Sequence, residues 1–138
     1  MIKVLSYPTV LFLLLYQVAL HAADLGNLTP DQLESLQKQD ALVIDIRTEK
    51  EWQDTGIIPD SHKLQFFDAD GKFDSKQWLA QLEQLKKTPA QPVVLVCQSG
   101  GRSTMLGNFL TGKLGMQNVY QLQNGINAWI EQGKRVQK

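Results

Sequence analysis

The sequence predicts an α/β fold in which a central parallel sheet is covered by helices on both faces. The run at 93–96 is continuously apolar and rich in β-branched residues, and the runs at 41–46 and 118–122 are largely apolar, which is typical of strands buried on both sides. Segments with apolar residues at helical spacing separate these runs, and strands that alternate with helices favour parallel pairing. The chain has 138 residues and is 43% hydrophobic, which predicts one domain with its own core.

The first helix has a clear start signal. Thr29 can cap the helix, Pro30 suits the first helical position, and Gln32 can complete a capping box with Thr29. We therefore expect a helix from 30 to about 39.

The later elements are placed by similar patterns. Asp74 or Ser75 can cap a helix whose apolar face includes Trp78 and Leu82. The segment 68–71 has two aspartates and a glycine, but the later glutamate of a calcium loop is missing, so we expect a surface turn there. The remaining elements are expected, in chain order, as a strand at 41–46, a short helix at 48–53, a helix from 75 to about 87, a strand at 93–96, a helix from about 103, a strand at 118–122 and a helix at 126–132.

The only cysteine, Cys97, lies where a predicted strand ends and a glycine-rich turn begins. Backbone N–H groups and a helix N-terminus converge in such a turn, which favours an ionised thiol over an inert buried one. Four residues separate Cys97 from Arg102, one fewer than in the cysteine-dependent phosphatases, whose loop surrounds a tetrahedral phosphate. The spacing therefore disfavours phosphate-ester or arsenate chemistry.

The segment Cys97–Ser103 resembles the active-site loop of single-domain rhodaneses, the sulfurtransferases that carry a sulfane sulfur as a cysteine persulfide. Three further segments are similar to motifs of that family, and the resemblance spans roughly residues 29–133. The three segments are the strand that ends in Asp-x-Arg at 42–47, the pair Glu51-Trp52 followed by the turn at 56–59, and the Gly-x-x-x-Trp pattern at 125–129.

The chain departs from the family pattern at two places. Ile57 stands where the family usually has histidine, and 60–61 reads Asp-Ser instead of Gly-Ala, so any role of that histidine in fixing the turn is absent. Asn124 stands where the first glycine of a pair is common, and because asparagine tolerates left-handed backbone angles we expect the turn to be preserved.

The resemblance implies a rhodanese-like fold and a sulfurtransferase in which Cys97 is the catalytic nucleophile. A small anionic sulfur donor such as thiosulfate and an acceptor thiol or cyanide are the implied partners, with no cofactor and no metal. Arg102 is expected either to bind the donor's sulfonate oxygens or to brace the loop. The alternative function is a non-enzymatic sulfur-relay or protein-docking module of the same fold. The substrate-binding residues are expected to be Gln98, Ser99, Gly100, Gly101, Arg102 and Ser103.

Other polar residues receive structural roles. Asp45 and Arg47, at the end of a predicted strand, are expected to form a structural ion pair. His62 is expected to lie in a loop, because no partner for catalysis or metal binding accompanies it. Trp52 is expected either in the core or as a wall of the pocket.

Residues 1–23 are predicted to form a cleaved signal peptide. The segment has one charge, Lys3, an apolar stretch at 10–16 and a small-residue end at 22–23. The alternative is an uncleaved membrane anchor, but polar residues such as Gln17 interrupt the run below the roughly 18 apolar residues that a spanning helix needs. The sequence thus predicts a periplasmic or otherwise exported protein.

The single domain is expected to comprise residues 24–138. The formal net charge is zero and the basic residues are scattered, which excludes the electrostatic footprint of a nucleic-acid-binding protein. We further expect a monomer with no stable membrane association once the signal peptide has been removed.

Overall fold

The computed structural model of the chain describes residues 23–138. In this part of the chain, five parallel strands form one sheet. The strands are β1 (Gly26–Leu28), β2 (Leu42–Asp45), β3 (His62–Lys63), β4 (Val93–Val96) and β5 (Val119–Leu122). The helices are α1 (Pro30–Lys38), α2 (Glu49–Thr55), α3 (Ser75–Leu85), α4 (Gly101–Asn108) and α5 (Gly125–Glu131), and a π-helix (Phe109–Lys113) continues α4.

The order of the strands across the sheet is β1-β5-β4-β2-β3, which places β4 in the centre. All four residues of β4 are buried, because helices cover both faces of the sheet. Since the strands are parallel, their carboxyl ends lie at one edge of the sheet, and the segments that follow them meet there. Cys97 follows β4 directly, so the central strand delivers the cysteine to this edge.

Two apolar clusters fill the space between the sheet and the helices. On one face, Leu33 of α1 and Ile126 and Trp129 of α5 pack against residues that include Val94 and Val96. On the other face lie α3 and α4, and the cluster there comprises Leu42, Ile44, Ile46, Phe66, Trp78, Leu82, Val93, Leu95, Cys97, Leu106, Leu110 and Val119. The predicted α/β fold with helices on both faces is confirmed.

The predicted start of α1 is confirmed in detail. The Gln32 N–H donates to the Thr29 hydroxyl oxygen, the Thr29 N–H donates to the Gln32 side-chain oxygen at 2.9 Å, and Pro30 is the first helical residue. Helix α2 has a second capping box, in which Thr48 and Glu51 exchange the same contacts.

The structure differs from the sequence prediction at several elements. Helix α4 begins at Gly101, two residues earlier than expected, because Gly100 adopts a left-handed conformation with φ 104° and directs the chain into the helix. The short strands β1 and β3 were not predicted, since three and two residues are too few for an alternating or continuous apolar pattern.

The expectation that His62 lies in a loop was wrong. His62 belongs to β3 and pairs in register with Ile44 of β2. Both residues of β3 are exposed, so their side chains contribute no apolar signal, and only the backbone ladder defines the strand.

The proposed signal peptide falls outside the described residues, except for Ala23. Within residues 23–138, no helix has the length and apolar character required to cross a membrane.

Candidate active site

The Cys97 thiol lies at the start of the loop between β4 and α4. Only 1% of the residue is exposed. Its Sγ accepts the backbone N–H of Gly100 at 3.1 Å and that of Ser103 at 3.4 Å, and it lies 3.3 Å from the Ser103 hydroxyl oxygen. Each N–H donor places partial positive charge next to the sulfur atom. Among the N–H groups of 98–102 that the sequence suggests for the cradle, that of Gly100 is directed at the sulfur, and Ser103 adds a second donor from outside that range.

The first turn of α5 holds the cysteine loop through backbone hydrogen bonds. The N–H groups of Ile126 and Asn127 donate to the carbonyl oxygens of Cys97 and Gln98 at 2.9 and 3.2 Å. Gly125 has φ 65°, and a Cβ atom there would overlap the same two carbonyl groups. A glycine is therefore required at 125 both by the backbone angle and by the close approach of the loop.

Asn124 has a φ of 62°, as the sequence analysis expected for a residue that replaces glycine at this turn. Its backbone lies against the loop, because a Cβ atom on Gly100 would come within 3.3 Å of the Asn124 nitrogen. The C-terminal turn and the cysteine loop thus contact each other through backbone at both glycines.

The Ser103 hydroxyl connects the sulfur to a polar chain that crosses the sheet. It donates to the Gln121 side-chain oxygen at 2.7 Å, and the Gln121 amide donates to Asn27 at 2.8 Å. Thr104 also donates to the Gln121 oxygen, at 3.0 Å. Ser103 is fully buried, so this chain fixes its hydroxyl beside Cys97.

Arg102 points to Glu51 of α2 and forms a two-pronged ion pair with it. The two terminal nitrogens lie 2.9 and 2.5 Å from the two carboxylate oxygens. The hydrogen bonds from Arg102 lower the pKa of Glu51 to about 2, against an opposing effect of burial. The same hydrogen bonds are the largest cause of the raised pKa of Arg102. The pair is therefore ionised throughout the neutral range.

The expected ion pair between Asp45 and Arg47 is confirmed, and it also contacts the loop. Both residues are fully buried, with Nη2 of Arg47 2.8 Å from the Asp45 carboxylate. The other terminal nitrogen, Nη1, donates at 2.9 Å to the side-chain oxygen of Gln98, whose amide in turn donates to Asn127. Arg47 also donates to the Gly56 carbonyl oxygen at 2.9 Å, which ties the turn after α2 to the same network.

The structure brings the predicted site residues together to different degrees. Gly100 and Ser103 touch the sulfur, Gln98 is held by the buried arginine, and Arg102 is held by Glu51. Ser99 and Gly101 are exposed on the outer side of the loop. The role of these residues toward a substrate stays a prediction.

The sequence does not predict the contacts that Glu51, Gln121 and Asn127 make with the loop. For Glu51 a signal existed, because Thr48-x-x-Glu51 is a capping-box pattern that fixes the carboxylate at the start of a helix. Gln121 and Asn127 reach the loop through the pairing of β5 with β4 and through the position of α5. No local sequence pattern predicts contacts that depend on how the strands pair and where a helix packs.

Among residues 23–138, no group of three or more His, Cys, Asp or Glu residues is arranged to hold a metal ion.

Trp52 is buried, which agrees with one of its two expected positions. Ile57 is also buried, and its backbone pairs with Gln137. The C-terminal residues thereby secure the turn in which the family usually has histidine.

The model of the rhodanese-like domain family matches residues 29–132. The chain belongs to this family, in agreement with the resemblance of its cysteine loop.

Curated relatives of the chain include sulfurtransferases. A thiosulfate sulfurtransferase GlpE from Pseudoalteromonas translucida is 31% identical over 97 residues, which cover 70% of this chain and 80% of that protein. The tRNA uridine(34) hydroxylase of Chlamydia trachomatis is 30% identical over 108 residues, which cover 75% of this chain and only 30% of the hydroxylase.

Solved structures share the fold. A thiosulfate sulfurtransferase from Pseudomonas aeruginosa has a TM-score of 0.64 at 21% identity, covering 80% of this chain and 20% of that one. A polysulfide-sulfur transferase homodimer from Wolinella succinogenes has a TM-score of 0.60 at 22% identity, covering 82% of this chain and 78% of that one.

Proposed function

We propose that the protein is a sulfurtransferase that accepts a sulfane sulfur on Cys97 as a persulfide and passes it to a thiol or cyanide. The observation that carries this proposal is the single cysteine at the end of the central strand, with two backbone N–H donors on its sulfur. A persulfide carrier needs one cysteine, and such donors stabilise the terminal sulfur of a persulfide as they do a thiolate.

The proposed reaction has two steps. The Cys97 thiolate attacks the outer sulfur of a donor such as thiosulfate, the sulfur–sulfur bond of the donor breaks, and sulfite leaves with the bonding electron pair. The acceptor, cyanide or a thiolate, then attacks the terminal sulfur of the persulfide and regenerates the Cys97 thiolate. Both nucleophiles are anions, so no general base is needed.

The names of related proteins support this proposal. Two curated relatives are thiosulfate sulfurtransferases, and one structural neighbour is a polysulfide-sulfur transferase. The matched part of the tRNA hydroxylases is less than a third of those proteins, so we do not extend their overall reaction to this chain.

Intact-mass spectrometry tests the proposal. The purified protein should gain about 32 Da, one sulfur atom, when treated with a sulfane-sulfur donor, and cyanide should remove the added mass. Cys97→Ser protein is the control. Sulfur retained by this variant, or no sulfur on the wild-type protein with any sulfane-sulfur donor, would overturn the assignment.

The non-enzymatic relay remains the competing function. In that case Cys97 would take sulfur from a partner persulfide, and turnover with a small donor and cyanide would be absent. Steady-state rates with thiosulfate, a thiosulfonate and a small-molecule persulfide separate the two functions.

A further inference from the structure

We propose that Glu51 determines donor specificity at this site, by neutralising Arg102 and so disfavouring donors that carry two negative charges. The preferred donors would then be sulfane-sulfur compounds with a single negative charge, the class to which thiosulfonates and persulfide anions of uncharged small thiols belong. This inference rests on the proposed persulfide chemistry at Cys97.

Arg102 is the loop residue that could attract an anionic donor, but its positive charge is already neutralised by the Glu51 carboxylate. Both terminal nitrogens of the guanidinium are bound to the Glu51 carboxylate, in the fork-to-fork arrangement that a sulfonate would otherwise take. A donor that uses this fork must first displace Glu51.

Glu51 is fixed independently of Arg102, which makes displacement costly. Its Oε2 atom accepts the backbone N–H and the hydroxyl of Thr48, each at 3.0 Å, in the capping box of α2. Swinging the carboxylate away would break these bonds together with the ion pair. The pair is also largely shielded from water, with only 31% of the Arg102 side chain and 25% of the Glu51 side chain exposed, so its attraction is only partly screened.

The other guanidinium that contacts the loop is neutralised in the same way. Arg47 reaches Gln98, but it forms a fully buried ion pair with Asp45. Each of these two arginines is therefore already paired with a carboxylate. A second negative charge on the donor would not find a free guanidinium in either of them. It also meets the repulsion of Glu51, whereas a single charge on the transferring sulfur is met by the N–H donors around Cys97.

Methanethiosulfonate and thiosulfate form a matched pair of donors for testing this idea. They differ by one methyl group in place of one charged oxygen. With the former, the Cys97 thiolate takes the outer sulfur, the sulfur–sulfur bond breaks, and methanesulfinate leaves with the electron pair. The chemistry at the cysteine is the same, and the charge near Arg102 and Glu51 differs.

The experiment compares kcat/KM for the two donors, with cyanide as acceptor, in wild-type protein and in Glu51→Gln. Removing the carboxylate charge frees Arg102, so the preference for methanethiosulfonate over thiosulfate should fall by about tenfold. Glu49→Gln removes the same charge from an exposed position of α2 and should leave the preference unchanged. Glu51→Asp retains the charge and should keep the preference of the wild type.

An unchanged preference in folded Glu51→Gln protein would overturn the inference. If that variant does not fold, protection of wild-type Cys97 from alkylation gives a second test, in which sulfate should be needed at higher concentration than methanesulfonate. Better protection by sulfate would refute the role of Glu51. Failure of the wild-type protein to take up sulfur from either donor would instead refute the proposed function.

Discussion

Arg102 illustrates how the environment of one residue decides what its charge can do. As an isolated guanidinium it would be an anion site, and as half of an ion pair it braces the loop against α2. Substitution of Arg102 can therefore have two separable effects: loss of the cation that neutralises Glu51 acts on an anionic donor, whereas a change in the shape of the loop acts on the cysteine itself.

We expect Arg102→Ala to lower kcat/KM for thiosulfate on the order of ten- to a hundredfold, because the Glu51 charge is then left unpaired beside the donor. Alkylation of Cys97 by neutral iodoacetamide should change much less, since the N–H donors of Gly100 and Ser103 are retained. Parallel rate measurements on the same samples check both statements.

Arg102→Lys should recover part of the thiosulfate rate, because an ammonium keeps the charge without the fork. The double variant Arg102→Ala/Glu51→Gln should also recover part of it, because the unpaired carboxylate is gone. Equal losses in alkylation and in sulfur transfer would mean that Arg102 acts on the cysteine and not on the donor.

At the scale of elements, the Arg102–Glu51 pair ties α4 to α2, and its strength depends on pH. The ion pair holds the pKa of Glu51 at about 2, below its ordinary 4.5. A carboxyl group with a lowered pKa in the folded state adds stability above about pH 4.5, and this contribution is lost as the pH falls toward 2.

Glu51→Gln should therefore be less stable than wild type by about 1–3 kcal/mol at pH 7. The difference in the free energy of unfolding should shrink as the pH is lowered from 4.5 toward 2, because the wild-type side chain becomes neutral as well. Urea denaturation at pH 7, 4 and 2.5 measures this. A difference that stays constant over this range would show that the pair does not stabilise the fold through its charge.

The contact between α5 and the cysteine loop gives a prediction at Gly125. Gly125→Ala should destabilise the protein by about 2 kcal/mol or more and impair loading of sulfur on Cys97, because the methyl group would overlap the Cys97 and Gln98 carbonyl groups. Thermal denaturation and intact mass after donor treatment are the two measurements.

Gly133→Ala is the matched control for that substitution. Gly133 has a φ of 71°, close to the 65° of Gly125, but an added Cβ atom has no neighbour within 4 Å. The Gly133→Ala variant should lose only about 1 kcal/mol of stability, from backbone strain, and should load sulfur normally. Equal effects at both glycines would exclude steric overlap with the loop as the cause.

The sequence predicts those elements whose signals are local. The capping residues of α1, the apolar run of β4 and the turn that opens at Cys97 are all readable without tertiary information. Strand β3 is not, because its exposed side chains have no pattern and only pairing with β2 defines it. The partner of Arg102 is also a tertiary property, since Glu51 lies 51 residues away in the chain.

At the scale of the whole molecule, export is the proposal that remains to be tested. If residues 1–23 are a cleaved signal peptide, protein recovered from a bacterial periplasm should begin near Ala23 or Asp24. N-terminal sequencing or mass spectrometry of the recovered protein checks this. Recovery of a chain that still begins at Met1 in the membrane fraction would support the anchor instead.

The position of β1 in the sheet has a consequence for how the chain folds. In the described sheet β1 is an edge strand whose neighbour is β5, with Asn27 opposite Gln121 in the register. Closing this contact requires a loop of more than 90 residues, which slows folding, and β1 cannot make it until β5 has been synthesised. Nascent chains that end before β5 therefore leave β1 without the strand it pairs with in the folded protein.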